Sequence, residues 1–235
     1  MEHTERPLHI IARIHTDFPT KFGIPRQSGL VDELKAEIVF EPEYRNPDAL
    51  RGIEEFSHIW LIWEFSEAQR ETWSPTVRPP RLGGNKRIGV FATRSPFRPN
   101  ALGLSSVRLE SVELNTDRGP ILHISGADLM DGTPIYDIKP YLAFADSHPE
   151  ATGSYTDQTK EYELMVEIPV ELEHKVEEKK QSALRAVLAQ DPRPSYQNDP
   201  DRIYGMEFAG YEVKFRVSEG MLTVVEIEET KEMGK

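Results

Sequence analysis

His58-Ile59-Trp60-Leu61-Ile62-Trp63-Glu64-Phe65 is the densest apolar run in the chain. Its β-branched and aromatic content and its short length predict a strand, and its continuous hydrophobicity predicts burial on both faces. The run Ile59 to Trp63 is far shorter than the roughly 20 residues of a membrane helix. Working outward toward the N-terminus, Ala36 to Phe40 and Leu8 to Ile14 read as further strands, separated by a loop from Phe18 to Gly29 that Pro and Gly punctuate. Asn46-Pro47-Asp48 predicts a helix start, with Asn46 as cap and Pro47 in the first helical position, running toward Glu55. Toward the C-terminus, Gly89 to Thr93, Leu104 to Leu114, Ile121 to Ser125 and Ile135 to Ile138 continue the strand pattern. Turns are expected at Gly83-Gly84-Asn85, Asp117-Arg118-Gly119 and Asp131-Gly132. Roughly the first 145 residues are therefore expected to be mostly β.

From Ser147 to Thr159 the residues become small and polar, which predicts a linker over 149–160 between a first domain (1–148) and a second (161–235). The second part reads as a small α+β unit. It opens with a strand, Tyr162 to Ile168, and an amphipathic helix, about Val170 to Leu188, with Leu172, Val176, Leu184, Val187 and Leu188 on one face. Pro192 and Pro194 stop that helix, and Tyr211 to Val217 and Leu222 to Ile227 form a hairpin through Ser218-Glu219-Gly220.

The 235 residues are 38% hydrophobic and 29% charged, as expected of a globular chain with a core. With no cysteine, disulfides, thiolate nucleophiles and iron–sulfur clusters are excluded. The N-terminus lacks a signal peptide's apolar segment, so a cytoplasmic protein is expected. The net charge of −12 hides an asymmetry: Arg78 to Arg108 holds seven basic residues and no acidic one, leaving −19 on the other 204 residues. A basic block on an acidic body points to an anionic partner held at one place. The glycine signatures of dinucleotide and nucleoside-triphosphate loops and the hydrolase Gly-x-Ser-x-Gly are absent, and no histidine pair beside a carboxylate has metal-ligand spacing. Neither a metal site nor a membrane partner is expected.

The block runs Arg78-Pro79-Pro80-Arg81-Leu82-Gly83-Gly84-Asn85-Lys86-Arg87-Ile88-Gly89-Val90-Phe91-Ala92-Thr93-Arg94-Ser95-Pro96-Phe97-Arg98-Pro99-Asn100. Proline restricts its backbone, so polar groups are held in place with little ordering entropy left to lose on binding. Together with Lys21-Phe22-Gly23-Ile24-Pro25-Arg26-Gln27, Phe56-Ser57-His58-Ile59-Trp60, Asp128-Leu129-Met130-Asp131-Gly132-Thr133-Pro134, Asp137-Ile138-Lys139-Pro140-Tyr141 and Asp191-Pro192-Arg193-Pro194-Ser195-Tyr196, it closely resembles the TrmO (TsaA-like) family of bacterial tRNA methyltransferases. The resemblance extends through Asp201-Arg202-Ile203-Tyr204-Gly205-Met206, nearly the whole chain.

That resemblance implies a mainly β protein: a single-sheeted β-barrel N-terminal domain with the small α+β C-terminal domain, acting as a homodimer. It implies transfer of a methyl group from S-adenosylmethionine to the exocyclic nitrogen of N6-threonylcarbamoyladenosine, at position 37 beside the anticodon of threonine tRNAs. By the same resemblance Pro25, Arg26, Gln27, Ser66, Glu67, Arg94, Leu104, Ser125, Gly126, Ala127 and Asp128 map onto the cofactor pocket. Arg94 suits the methionine carboxylate, and backbone near Leu104 and Ala127 suits an adenine edge.

Methyl transfer from a sulfonium needs alignment, exclusion of water and removal of a proton from a poorly nucleophilic nitrogen. Asp137, Lys139 and Tyr141 alternate along an extended segment and so share a face. Asp137 is expected as proton acceptor or orienter, and Lys139 as a contact to the threonyl carboxylate or a phosphate, with a structural salt bridge as the alternative. Arg81, Arg87 and Arg98 are the phosphate candidates. Asp191, Arg193 and Tyr196 are expected at the partner subunit's site or on the anticodon loop. His58 is expected to be a hydrogen-bonded core residue and Asp131-Gly132 a turn. A non-catalytic RNA- or nucleotide-binding barrel using the same basic block remains the competing function.

Overall fold

The structure is a computed structural model that describes residues 7–68, 72–79, 86–157, 162–194, 197 and 199–230. The expected Gly83-Gly84-Asn85 turn, Arg81, Tyr196 and the end of the expected linker lie outside them. The N-terminal part carries β1 (Ala12–His15), β2 (Lys35–Phe40), β3 (His58–Glu64), β4 (Thr76–Val77), β5 (Ile88–Gly89), β6 (Leu102–Glu113), β7 (Ile121–Ser125) and β8 (Pro134–Pro140). β4 and β5 pair with each other, while the other six close into an antiparallel barrel in the order β1-β2-β7-β6-β3-β8, with β8 returning to β1.

β3 is a central stave, but burial alternates along it instead of covering both faces. Ile59, Leu61 and Trp63 point into the barrel core, whereas Trp60 and Ile62 stay half-exposed outside. The outer Trp60 is served locally: Tyr141 packs on it at 5.5 Å and Asp146 accepts its indole N–H at 3.0 Å. His58 is likewise exposed, beside the Ser57 hydroxyl at 2.9 Å, rather than a core histidine.

Other local expectations are trimmed by turn chemistry. The first strand starts at Ala12, and Leu8 lies exposed before it. Asn46 does cap, accepting the Asp48 N–H at 3.0 Å, but only a 3₁₀ turn (Pro47–Leu50) follows, because Gly52 at φ +86° breaks it before a second turn at Ile53–Glu55. After Gly89 the strand pattern ends in the 3₁₀ turn Val90–Ala92. The Asp117-Arg118-Gly119, Asp131-Gly132 and Ser218-Glu219-Gly220 turns form, each around a glycine with positive φ.

The barrel is followed by α1 (Ala143–Asp146) and then by a second sheet. Its elements are β9 (Met165–Glu167), α2 (Val170–Glu173), α3 (Glu178–Ala189), β10 (Tyr204–Phe208), β11 (Tyr211–Ser218) and β12 (Met221–Glu229), with sheet order β10-β11-β12-β9. The single helix expected over 170–188 is two. The Gln181 side chain donates to the carbonyls of Glu173 and Val176, which lets the chain turn between α2 and α3 while Val176 is buried. β10 went unanticipated, although Tyr204, Met206 and Phe208 alternate inward as a half-buried strand should.

The two parts share a core. The β1–β2 connection leaves the barrel, and its Phe18, Val31 and Leu34 pack with Phe208, Leu184 and Leu188 in the second unit. Phe18 meets Phe208 edge-on at 5.4 Å, the Asp17 carbonyl accepts the Ala209 N–H at 2.8 Å, and the Asp17 carboxylate holds Lys180. The loop that carries Lys21 to Gln27 is thus suspended between the barrel and the second sheet.

Candidate active site

Trp63 ends the inward row of β3 directly opposite Gly103 of β6. A Cβ at position 103 would lie 2.2 Å from the indole, so only glycine lets the ring lie flat on the β6 backbone. The indole Nε1 donates to Ser105 Oγ at 2.9 Å, and the Ser105 hydroxyl donates to Asp128 Oδ1 at 2.6 Å. Phe65 packs against Trp63 at 4.3 Å. Burial pushes the Asp128 carboxyl up, opposed by the Ser105 hydroxyl, the Ser28 backbone N–H and the charge of Arg94.

Facing this wall is the Lys21–Gln27 loop, and between them lies a cavity of about 700 Å³. Arg94 Nη1 donates to Gln27 Oε1, and Gln27 Nε2 to the Arg26 carbonyl, closing one rim. On the far side Arg26 Nη2 reaches the carbonyls of Asp191 (3.3 Å) and Arg193 (3.5 Å) in the second unit. The basic segment that carries Arg94 is self-braced: Arg98 Nη1 donates to the carbonyls of Thr93 (3.2 Å) and Ser95 (3.5 Å).

Eight of the eleven residues expected in the cofactor pocket line this one cavity: Pro25, Arg26, Gln27, Ser66, Glu67, Arg94, Leu104 and Asp128. Ser125, Gly126 and Ala127 stand behind it. Ser125 is buried and donates to Glu110 at 2.6 Å, Gly126 turns at φ +76° to bond Gly29 and Leu34, and Ala127 packs in the barrel core.

The other sets are not gathered there. Asp137, Lys139 and Tyr141 do share one face, but it is the outer wall of the barrel, where Lys139 Nζ lies 2.9 Å from Asp137 Oδ2 and Tyr141 packs on Trp60. Arg87 is exposed beside β5, whereas Arg98 lines the cavity. Asp191 and Arg193 are buried, with exposures of 7% and 8%, in a two-bond ion pair of 2.8 and 2.9 Å that also receives the Tyr162 hydroxyl at 3.1 Å. Burial pushes Asp191 up, but Arg193 and Tyr162 outweigh it and hold its carboxyl below the usual range.

Trp63, Gly103 and Ser105 were missed by sequence reasoning, since their relation exists only across the β3–β6 register. Glu64 was also missed. It lines the cavity and accepts the Tyr136 hydroxyl, and the one signal for it was a lone acidic residue closing an apolar strand. Tyr136 reaches it through a bulge: Ile62 pairs with Asp137 but Trp63 with Ile135, so Tyr136 is the extra residue. Burial, with Glu64 as acceptor adding to the effect, pushes the Tyr136 phenol up to about 12.

The cavity's size suits a nucleoside-sized ligand. It offers a guanidinium for a carboxylate, a half-buried carboxylate for an ammonium or ribose hydroxyl, and Trp63 and Leu104 for an apolar ring, a donor set that fits S-adenosylmethionine. Residues 13–147 match the tRNA-methyltransferase O N-terminal domain and residues 161–230 the TrmO C-terminal domain. The chain is 42% identical over 226 residues to the tRNA (adenine(37)-N6)-methyltransferase of Escherichia coli K12, covering 93% of this chain and 96% of that protein. It is 44% identical over 176 residues to the protein of the same name from Eikenella corrodens, covering 72% and 95%. The crystal structure of TrmO from Pseudomonas aeruginosa superposes with a TM-score of 0.78 at 31% identity, over 97% of this chain and 99% of that one. With both domain types present in order and a relative aligned along almost its entire length, the chain belongs to the TrmO family of tRNA methyltransferases.

Proposed function

We propose that this chain transfers a methyl group from S-adenosylmethionine to N6 of adenine 37 in tRNA, the acceptor being the threonylcarbamoylated adenosine of threonine tRNAs. The observation that carries this is 42% identity along 93% of the chain to a tRNA (adenine(37)-N6)-methyltransferase, with the cavity's donor set as physical support. When bound, S-adenosylmethionine supplies the activated methyl on its sulfonium. The chain supplies the rest. Arg94, fixed by Gln27, binds a carboxylate; Asp128, fixed by Ser105, orients a polar group; Trp63, Phe65 and Leu104 exclude water from the reacting end. Exposed Arg87 and Lys139 are offered to RNA phosphates.

We also infer a cytoplasmic homodimer. A covered face in the dimer is supported by α1, whose Phe144 is 90% exposed beside Leu142. Among the described residues no helix is long and apolar enough to cross a membrane.

The test is mass spectrometry of nucleosides from tRNA incubated with the protein and S-adenosylmethionine. A methyl mass gain on the threonylcarbamoyl nucleoside is expected. Calorimetry showing no S-adenosylmethionine binding would favour a binding barrel without chemistry.

A further inference from the structure

A second cavity, of about 480 Å³, adjoins the first. The two share a wall made by Glu64, Ala68, Pro96, Arg98, Asn100 and Leu102. Beyond that wall the second cavity has its own lining, which includes Trp73, Phe97 and Tyr136. A group-transfer enzyme needs donor and acceptor on either side of one boundary with the reacting atoms in line across it. This pair of cavities provides such a boundary, and among the described residues Glu64 is the one carboxylate standing on it.

The chemistry of the second cavity matches a purine nucleoside bearing an acidic acyl group. Trp73 is half-exposed and already ordered against Phe91, the rings 6.2 Å apart and 24° from parallel, which suits it to stack on a base. Arg98 brings a cation whose position is set by the Thr93 and Ser95 carbonyls, and a guanidinium so held is suited to a carboxylate. The barrel wall is interrupted at this point for a structural reason. The bulge at Tyr136 removes that residue from the β3–β8 pairing and brings its hydroxyl to Glu64. Bulges re-aim side chains, and here the side chain re-aimed is one that donates to the carboxylate.

We propose that the second cavity seats the acceptor nucleoside, that Glu64 receives the proton of the acceptor nitrogen, and that Tyr136 is its positioning residue. This rests on the methyltransferase reading given above. In the step, the acceptor nitrogen's electron pair forms the N–C bond while the C–S bond breaks, and sulfur keeps that bond's electrons and becomes a neutral thioether. The N–H proton passes to a Glu64 carboxylate oxygen, leaving a neutral tertiary N6. The Tyr136 hydroxyl remains protonated throughout and goes on donating to the carboxylate.

The experiment uses the full-length protein with threonylcarbamoylated tRNA, and with the free N6-threonylcarbamoyladenosine nucleoside as a binding probe. Glu64→Gln is expected to lower kcat by about a hundredfold or more. Its calorimetric affinities for S-adenosylmethionine and for the free nucleoside should stay within about threefold of wild type. Tyr136→Phe is expected to lower kcat by about tenfold with the tRNA KM unchanged, because only the orientation of Glu64 is lost. Trp73→Ala is expected to weaken the free nucleoside by about tenfold without altering S-adenosylmethionine affinity. If Glu64→Gln turns over at the wild-type rate, or loses the cofactor instead, the assignment of Glu64 is overturned while the methyltransferase reading stands. If Trp73→Ala binds the nucleoside as wild type does, the acceptor seat is wrong. If the wild-type protein neither binds S-adenosylmethionine nor methylates tRNA, it is the underlying function that fails.

Discussion

The cavity has two walls of different origin. The barrel wall is strand-built: Trp63 on β3, Gly103 and Ser105 on β6 and Asp128 after β7 are locked by ladder pairing and a chain of short hydrogen bonds. The opposite wall, Lys21 to Gln27, is a loop whose shape is borrowed from the second unit, through Phe18 and Leu34 in its core and Arg26 on the carbonyls of Asp191 and Arg193. One wall is rigid because the barrel is closed. The other is rigid only while the α+β unit is folded against it. The C-terminal unit therefore helps to shape the cavity, although none of its described residues lines it.

The largest effect that separates the two walls should come from Asp191→Asn. It leaves the Arg193 cation buried without its counter-charge, which costs about 3–5 kcal/mol. Chemical denaturation should show that loss, and calorimetry should show weakened S-adenosylmethionine binding, because the carbonyls that hold Arg26 belong to the same turn. Unaltered cofactor affinity in a destabilised variant would mean that the barrel wall suffices alone. The pair also has a pH signature. The folded carboxyl lies below its unfolded value of about 3.9, so its contribution is complete above that pH and is lost as pH falls through the folded value. Wild-type stability should fall more steeply below about pH 4 than that of Asp191→Asn, by up to one proton's worth of slope.

Gly103→Ala tests the barrel wall. The added carbon would sit 2.2 Å from the Trp63 ring, and overpacking of this kind costs about 1–3 kcal/mol. The ring must lift off β6 and strain its bond to Ser105, so S-adenosylmethionine affinity should fall together with stability. Full affinity in this variant would show that the wall tolerates movement and would erase the contrast with the loop. Arg94→Ala should act on binding alone. Arg94 is exposed and tied to Gln27, so about tenfold weaker cofactor binding with little change in denaturation midpoint is expected.

How much of this was legible in the sequence follows the same division. Pro25-Arg26-Gln27 and Arg94 sit in motifs that can be read end to end, whereas Ser66-Glu67 were pointed to by the resemblance alone; all of them line one cavity. The barrel strands were legible from hydrophobic runs, although β3 misled as to its faces: Trp60 is apolar but is paired outside with Tyr141 and Asp146. What stayed hidden depends on register. Trp63 lying on Gly103 needs strand pairing, and Tyr136 on Glu64 needs a bulge that shifts the phase of β8. The same bulge explains the placement of Asp137, Lys139 and Tyr141. Alternation correctly put them on one face, but which face is set by the residue inserted before them.

That placement gives the smallest expected effect. Asp137 opposes Ile62 on the outer wall and pairs with Lys139, both side chains being more than two-fifths exposed. Exposed pairs of this kind contribute about 0–1 kcal/mol, so Asp137→Asn should leave the denaturation midpoint almost unmoved. Its kcat with saturating tRNA should stay within about twofold of wild type, because Asp137 is not among the described residues that line either cavity. The replacement frees Lys139 of its anionic neighbour, and a phosphate held there would be bound slightly more tightly, so a modest fall in tRNA KM that disappears at high salt is expected. A large loss of kcat in Asp137→Asn, with Glu64→Gln active, would reverse the roles of the two carboxylates and place the chemistry on the outside of the barrel.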